Sequence, residues 1–212
     1  MNSIFAEKPR SDDRLVRLSS NMDDFEQYTS IHGGRIASLA DVVGAAFNLA
    51  SSDRFFLQQA GLLHDIGEVV MKREYIAASR ALTVNERFDL ERHPVIGEQE
   101  TAKLGLPRGV QLIVRWHHEW WNGDGYPDGL ELEQIPLAAR ILRVVDAYAS
   151  LTAPRPFRAA RTPDDVKKHL AEWAGIEFDP FVVKTFLSVV TEEDPQEVSL
   201  VAETSDRDLF LV

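Results

Sequence analysis

Cysteine is absent from the 212 residues, which removes disulfides, thiolate nucleophiles and sulfur ligands, so any bound metal must be held by nitrogen and oxygen. That donor set points to iron, manganese, cobalt or zinc. Positive charge is scarce: 23 Lys and Arg against 34 Asp and Glu give a formal net charge of −11. A broad DNA- or RNA-binding surface needs arrays of cations against phosphates and is not expected here. A small anionic ligand stays admissible if metal ions and a few local arginines supply the field. Long apolar runs are also missing: none approaches the roughly 20 residues of a membrane span, and Met1 to Asp13 has no apolar stretch flanked by basic residues. A cytoplasmic protein with no membrane partner is expected. There is no internal repeat, no glycine-rich phosphate loop and no serine in a strand-turn-helix elbow.

What is present is 44% hydrophobic residues, enough for a sizeable core in one domain. The polar start, residues 1–13, reads as a flexible tail, residues 14–191 as the domain, and the acidic, then mildly alternating, 192–212 as a short irregular or β tail. Helical spacing runs from about Asp23 to Ala50, with Ile36, Leu39, Val43 and Phe47 as the stripe and His32 on it. Ser51-Ser52-Asp53 reads as a capped start of a helix through His64-Asp65, ended by Ile66-Gly67. Thr83 with Glu86 forms a capping-box pattern opening a helix to His93, where Pro94 begins another. Further helices are expected to end at His117-His118, to span Ile135 to Leu151 with Asp146 beside the apolar stripe, and to start at Thr162-Pro163 and Asp179-Pro180. Phe181, Thr185, Phe186 and Val189 are expected on the buried face of the last one.

Chemistry concentrates in His117-His118-Glu119-Trp120-Trp121-Asn122-Gly123-Asp124-Gly125-Tyr126-Pro127. Adjacent imidazoles at a helix-to-loop junction are placed to bind metal, the glycines allow close backbone approach to a ligand, and Trp120, Trp121 and Tyr126 offer flat faces for a nucleotide base. Five of the six histidines, at 32, 64, 93, 117 and 118, fall at core-facing or junction positions, while His169 lies in a polar helix. With Asp65 and Asp146 they make seven nitrogen and oxygen ligands, about right for two metals bridged by Asp65, an arrangement suited to phosphoester hydrolysis. Glu68 adds a second acid beside Asp65. Arg155-Pro156-Phe157-Arg158 and Arg161 form the one tight basic cluster.

The order His32, His64-Asp65, His93-Pro94, His117-His118-Glu119, Gly125-Tyr126-Pro127, Asp146 resembles the HD-GYP family, a subgroup of the HD phosphohydrolases that hydrolyse the bacterial second messenger cyclic di-GMP. The resemblance covers residues 25 to 190 and implies an all-α HD-domain helical bundle. It implies a metal-dependent phosphodiesterase yielding linear pGpG or GMP, with two divalent ions, iron or manganese first and zinc, cobalt or nickel admitted. His32, His64, Asp65 and Asp146 would hold one ion, and Asp65, His93, His117 and His118 the other, with Asp65 and Glu68 in catalytic positions. Arg155 and Arg158 would meet the phosphates, and Gly125, Tyr126 and Pro127 would shape the substrate pocket or a partner-binding loop; a homodimer is compatible. Glu68 stands where the family carries lysine, Ala149 where it carries a second aspartate, and Tyr28 where three-metal members carry an acid. These departures keep two alternatives open: a weakly active or inactive metal-loaded module signalling to a protein partner, or a phosphohydrolase of another nucleotide.

Overall fold

The computed structural model describes residues 13–155 and 158–190. Helices follow one another in the order α1 (Asp13–Phe25), α2 (His32–Ala46), α3 (Ser51–Leu63), α4 (Ile66–Met71), α5 (Val84–Leu90), α6 (His93–Lys103), α7 (Arg108–Trp116), α8 (Leu137–Thr152), α9 (Pro163–Glu172) and α10 (Pro180–Val189). Among the described residues there are isolated bridges but no sheet, so the expected all-α class holds. The stretch 192–212, read as irregular or strand-forming, lies outside the described residues, as does 1–12. No helix among the described residues is long and apolar enough to cross a membrane.

The middle of the bundle is α8, whose Ile141, Leu142, Val144 and Val145 are all fully buried. A helix apolar around that much of its circumference has to be enclosed. It is covered by α2, α3, α7, α9 and α10, which contribute Ile36, Leu57, Val114, Leu170 and Phe186 to the same core. Each such side chain contributes roughly 1.5–3 kcal/mol by leaving water. This core encloses Asp146, since a carboxylate on an enclosed helix cannot reach bulk solvent.

Several boundaries differ from the sequence reading. The helical stretch from Asp23 to Ala50 is two helices, because the chain turns at Gln27 (φ 63°) and the buried Asp23 carboxylate then caps α2, accepting from the His32 and Gly33 amides at 3.0 and 3.1 Å. Ser51 is the first residue of α3 rather than its cap; Ala50 holds that position without a side-chain bond. Ile66-Gly67 does not end a helix but begins α4, with His64 and Asp65 as the junction. The Thr83–Glu86 capping box is present, but α5 stops at Leu90, and His93 opens α6 with Pro94 in its first turn. Thr162 and Asp179 cap α9 and α10 through the Asp165 amide and the Phe181 and Val182 amides. On α10 the buried face is Val182, Val183 and Phe186, whereas Phe181, the second helical residue, points outward and is 73% exposed.

Candidate metal centre and active site

Three of the histidines are set by one local device. The last carbonyls of a helix have no intrahelical partner, and a histidine three residues on can donate its Nδ1–H to one of them. His64 does so to Gly61 at 3.0 Å, His93 to Leu90 at 2.8 Å and His117 to Val114 at 2.7 Å. A carbonyl only accepts, so each ring carries a proton on Nδ1 and turns Nε2 inward. This explains why these histidines sit where helices end.

Their Nε2 atoms meet around Asp65. Oδ2 lies 3.0 Å from His64 Nε2, while Oδ1 lies 3.2 Å from His93 Nε2 and 3.5 Å from His117 Nε2. On the far side of His64, Asp146 Oδ1 is 3.7 Å from His64 Nε2 and 3.9 Å from His32 Nε2. Two tight groups result, Asp65 with His93, His117 and His118, and His32 with His64 and Asp146, each with ligand atoms within 4.8 Å of one another. The seven residues expected to hold metal therefore converge, with Asp65 reaching towards both groups. His32 Nδ1 and Nε2, His64 Nε2 and Asp65 Oδ1 are buried without a hydrogen-bond partner. Nitrogens and carboxylate oxygens crowded without partners in a dry interior call for positive charge, a proton on His64 or a cation, and the donor set fits divalent metal ions.

The electrostatics agree. Burial, reinforced by His64, pushes the His32 pKa down to about 3, and burial also lowers His117 and His118, so these rings are neutral at pH 7. Burial would depress His64 too, but Asp65, Asp146 and Glu26 outweigh it and raise its pKa well above the ordinary range. Burial alone would raise Asp65 and Asp146, yet His64 and the neighbouring cations and donors hold both below the usual carboxylate range. A divalent ion entering at pH 7 is thus expected to displace the His64 proton. Calorimetric titration with Mn(II) in buffers of different ionisation enthalpy measures this; affinity should rise with pH, and a titration releasing no proton would contradict the assignment.

His118 is held differently. Arg143 Nη1 lies 3.2 Å from its Nδ1 and can only donate, so the neutral ring carries its proton on Nε2. Arg143 also pairs with Glu177 and lies 3.7 Å from Asp146. Among the ligand histidines, His118 and His32 are the two not prepared by a carbonyl: Arg143 faces the first, and neither ring nitrogen of the second has a partner.

The loop after His118 folds back on its own start. A Cβ on Gly125 would lie 2.2 Å from Trp120 N and 2.6 Å from His118 O, so that glycine serves backbone packing rather than the approach of a ligand. The buried Glu119 carboxylate accepts from the Asp128 and Leu130 amides at 2.7 and 3.0 Å. Tyr126, inside this loop, stacks on His118 with centroids 4.8 Å apart, and its amide donates to His118 O. The tryptophans expected to present free faces are used by the fold: Trp120 meets Trp173 edge-on and Arg140 lies over Trp121.

On the opposite side, Arg155 Nη2 is 2.9 Å from the buried Glu26 and its guanidinium lies 4.0 Å from the Tyr28 ring centre. Tyr28 in turn stacks on His32 at 3.7 Å. Arg158 exchanges backbone bonds with Arg155 and donates its Nη2 to the Ser150 carbonyl; Pro156 and Phe157 lie outside the described residues. Glu68, expected as a second acid beside Asp65, is 9% exposed. Arg73, five residues on, is bonded to Asp89 at 2.9 Å. Glu26, Asp23 and Arg143 were not singled out from sequence; only Arg143, three residues before Asp146 on one helix face, carried a readable signal.

This chain belongs to the HD domain family, whose sequence model matches residues 4–182. The family resemblance read from the motifs is borne out at that level. Among similar proteins, the cyclic di-GMP phosphodiesterase response regulator RpfG of Xanthomonas campestris is 33% identical over 88% of this chain and 49% of its own length. A cyclic di-GMP phosphodiesterase of Vibrio cholerae is 35% identical over 86% of this chain and 40% of its own, and a 3'3'-cGAMP-specific phosphodiesterase of that organism is 29% identical over 82% and 39%. The chain spans less than half the length of these relatives. In fold it resembles a cyclic GMP-AMP specific phosphodiesterase of Vibrio cholerae, with a TM-score of 0.68 at 18% identity over 85% of this chain and 49% of that one. It also resembles an HDG"Y"P protein of Bdellovibrio bacteriovorus, with a TM-score of 0.64 at 20% identity over 81% and 56%.

Proposed function

We propose that this chain is a metal-dependent phosphodiesterase acting on cyclic di-GMP, with residues 14–191 as its catalytic domain. The observation that carries the reading is Asp65, whose two oxygens face different histidine groups. His32, His64, Asp65 and Asp146 would hold one divalent ion and Asp65, His93, His117 and His118 the other, iron or manganese being the first candidates. Paired ions in such a site supply activation of water and positive charge against phosphoryl oxygens. The relatives that act on cyclic di-GMP and 3'3'-cGAMP support a cyclic dinucleotide as substrate.

The chain's own residues supply orientation. Arg155, held by Glu26 and by the Tyr28 ring against His32, would donate to a substrate phosphate, whereas Arg158 Nη2 is already bonded to the Ser150 carbonyl. Tyr126, whose phenol burial keeps protonated, would stand as a neutral donor at the His118 end, with Gly125 and Pro127 fixing its loop. The expected result is conversion of cyclic di-GMP to linear pGpG or GMP by Mn(II)- or Fe(II)-loaded protein, followed by chromatography. Preference for 3'3'-cGAMP would move the substrate assignment, and no product from any cyclic dinucleotide would overturn it. Arg155→Gln, which keeps a donor for Glu26, should weaken cyclic di-GMP binding by about 1–3 kcal/mol with metal content unchanged; equal affinity would remove Arg155 from the phosphate site. The burial of Glu68 among Asp65 and Asp146 favours one second reading, a slow hydrolase that works chiefly as a metal-loaded signalling module.

A further inference from the structure

Glu68 lies in the first turn of α4, three residues after Asp65, and that spacing puts the two carboxylates on one helix face. The rotation of α4 is fixed: a Cβ on Gly67 would stand 2.0 Å from the His93 carbonyl oxygen and 3.0 Å from the Gly97 amide, so this side of α4 is pressed onto α6. Glu68 is consequently turned into the protein and is 9% exposed. Among the described residues its carboxylate has no hydrogen bond or ion pair. The charges that act on it are Asp65 and Asp146 of one sign and Arg155 and His64 of the other. Arg155 is bonded to Glu26, and His64 points its Nε2 at Asp65. Glu26, Asp65, Glu68 and Asp146 thus place four carboxylates around one end of the centre, more negative charge than the local cations offset. A buried carboxylate in that company must either take a proton or meet a cation.

We propose that Glu68 is an additional carboxylate ligand of the ion held by His32, His64, Asp65 and Asp146. The assignment rests on the metal-centre reading given above. Glu68 is not part of either tight group, but His64 and Asp146 of the first are among the charges that act on it, and the assignment requires its side chain to turn a carboxylate oxygen to that ion. An oxygen-rich first site beside a histidine-rich second site would make the two ions unequal, the first favouring harder ions such as Mn(II).

The test is calorimetric titration of Mn(II) into wild type and Glu68→Gln, with thermal melts of both before and after loading. Wild type is expected to bind two ions. In the variant, one ion should weaken by more than the roughly 10- to 100-fold that loss of an outer-shell partner costs, the other being unchanged. Glutamine removes the unneutralised charge, so the unloaded variant should melt at or above the wild-type temperature, which separates ligand loss from misfolding. Two ions bound by the variant with wild-type affinities would overturn the assignment alone. Wild type that binds no Mn(II) would overturn the metal-centre reading, and this assignment with it.

Discussion

Asp65→Asn is expected to abolish most metal binding and, with it, cyclic di-GMP turnover. The aspartate is where the two histidine groups meet, Oδ2 at 3.0 Å from His64 and Oδ1 at 3.2 and 3.5 Å from His93 and His117. Asparagine keeps the volume but replaces one oxygen by an NH2 that cannot ligate, and it removes the charge that holds the His64 proton. Both ions should suffer, each by more than the roughly 10- to 100-fold associated with an outer-shell change. The fold should survive, since the main core of α2, α3, α7, α8 and α10 contains no part of Asp65. Elemental analysis beside a circular dichroism spectrum measures this. A folded variant with full metal content would mean that Asp65 is a structural partner of histidines and nothing more.

Gly67→Ala is expected to have the largest effect on stability. Its Cβ would stand 2.0 Å from His93 O and 2.8 Å from His93 C, contacts with backbone that no rotamer change relieves. Either α4 or the start of α6 must move, which opens the Asp65–His93 pair as well. Overpacking of this kind costs about 3 kcal/mol or more when backbone has to shift. Gly105→Ala is the internal comparison, because nothing lies within 4 Å of its Cβ and only its φ of +78° is unfavourable, a penalty of about 1 kcal/mol. Urea unfolding of the two variants should rank them in that order, with metal lost only from the first. Equal, small effects would show that α4 and α6 can separate without consequence for the centre.

The site was more legible in the sequence than the helix ends around it. Histidines announce themselves by residue type, and the convergence of His64, His93 and His117 follows from one recurring device, an Nδ1–H returned to the carbonyl three residues earlier, which needs only a helix end. The resemblance of the ordered motifs did the rest. What stayed hidden depends on tertiary contact. The inward stripe of α1, Leu15, Ser19 and Met22, includes a serine because α2 crosses close by at Gly33, so its apolar pattern is too thin to read. Glu26 has no local signature either, as its partner Arg155 is 129 residues away. The glycines at 67 and 125 look alike in sequence to any loop glycine, and only the packing shows that both are required by backbone pressed on backbone. Asp23 looks like a surface acid, yet it is buried as the cap of α2, where burial lifts its pKa to about 6.

If these seven residues hold two ions that support hydrolysis of a cyclic dinucleotide, turnover must follow the metal content of the protein. The most direct measurement is the rate of cyclic di-GMP hydrolysis as Mn(II) is added stepwise to metal-stripped protein. The rate should be negligible at first, rise with added ion and level off at two equivalents per chain. Turnover that is indifferent to Mn(II), or absent at every ratio while two ions are demonstrably bound, would contradict it.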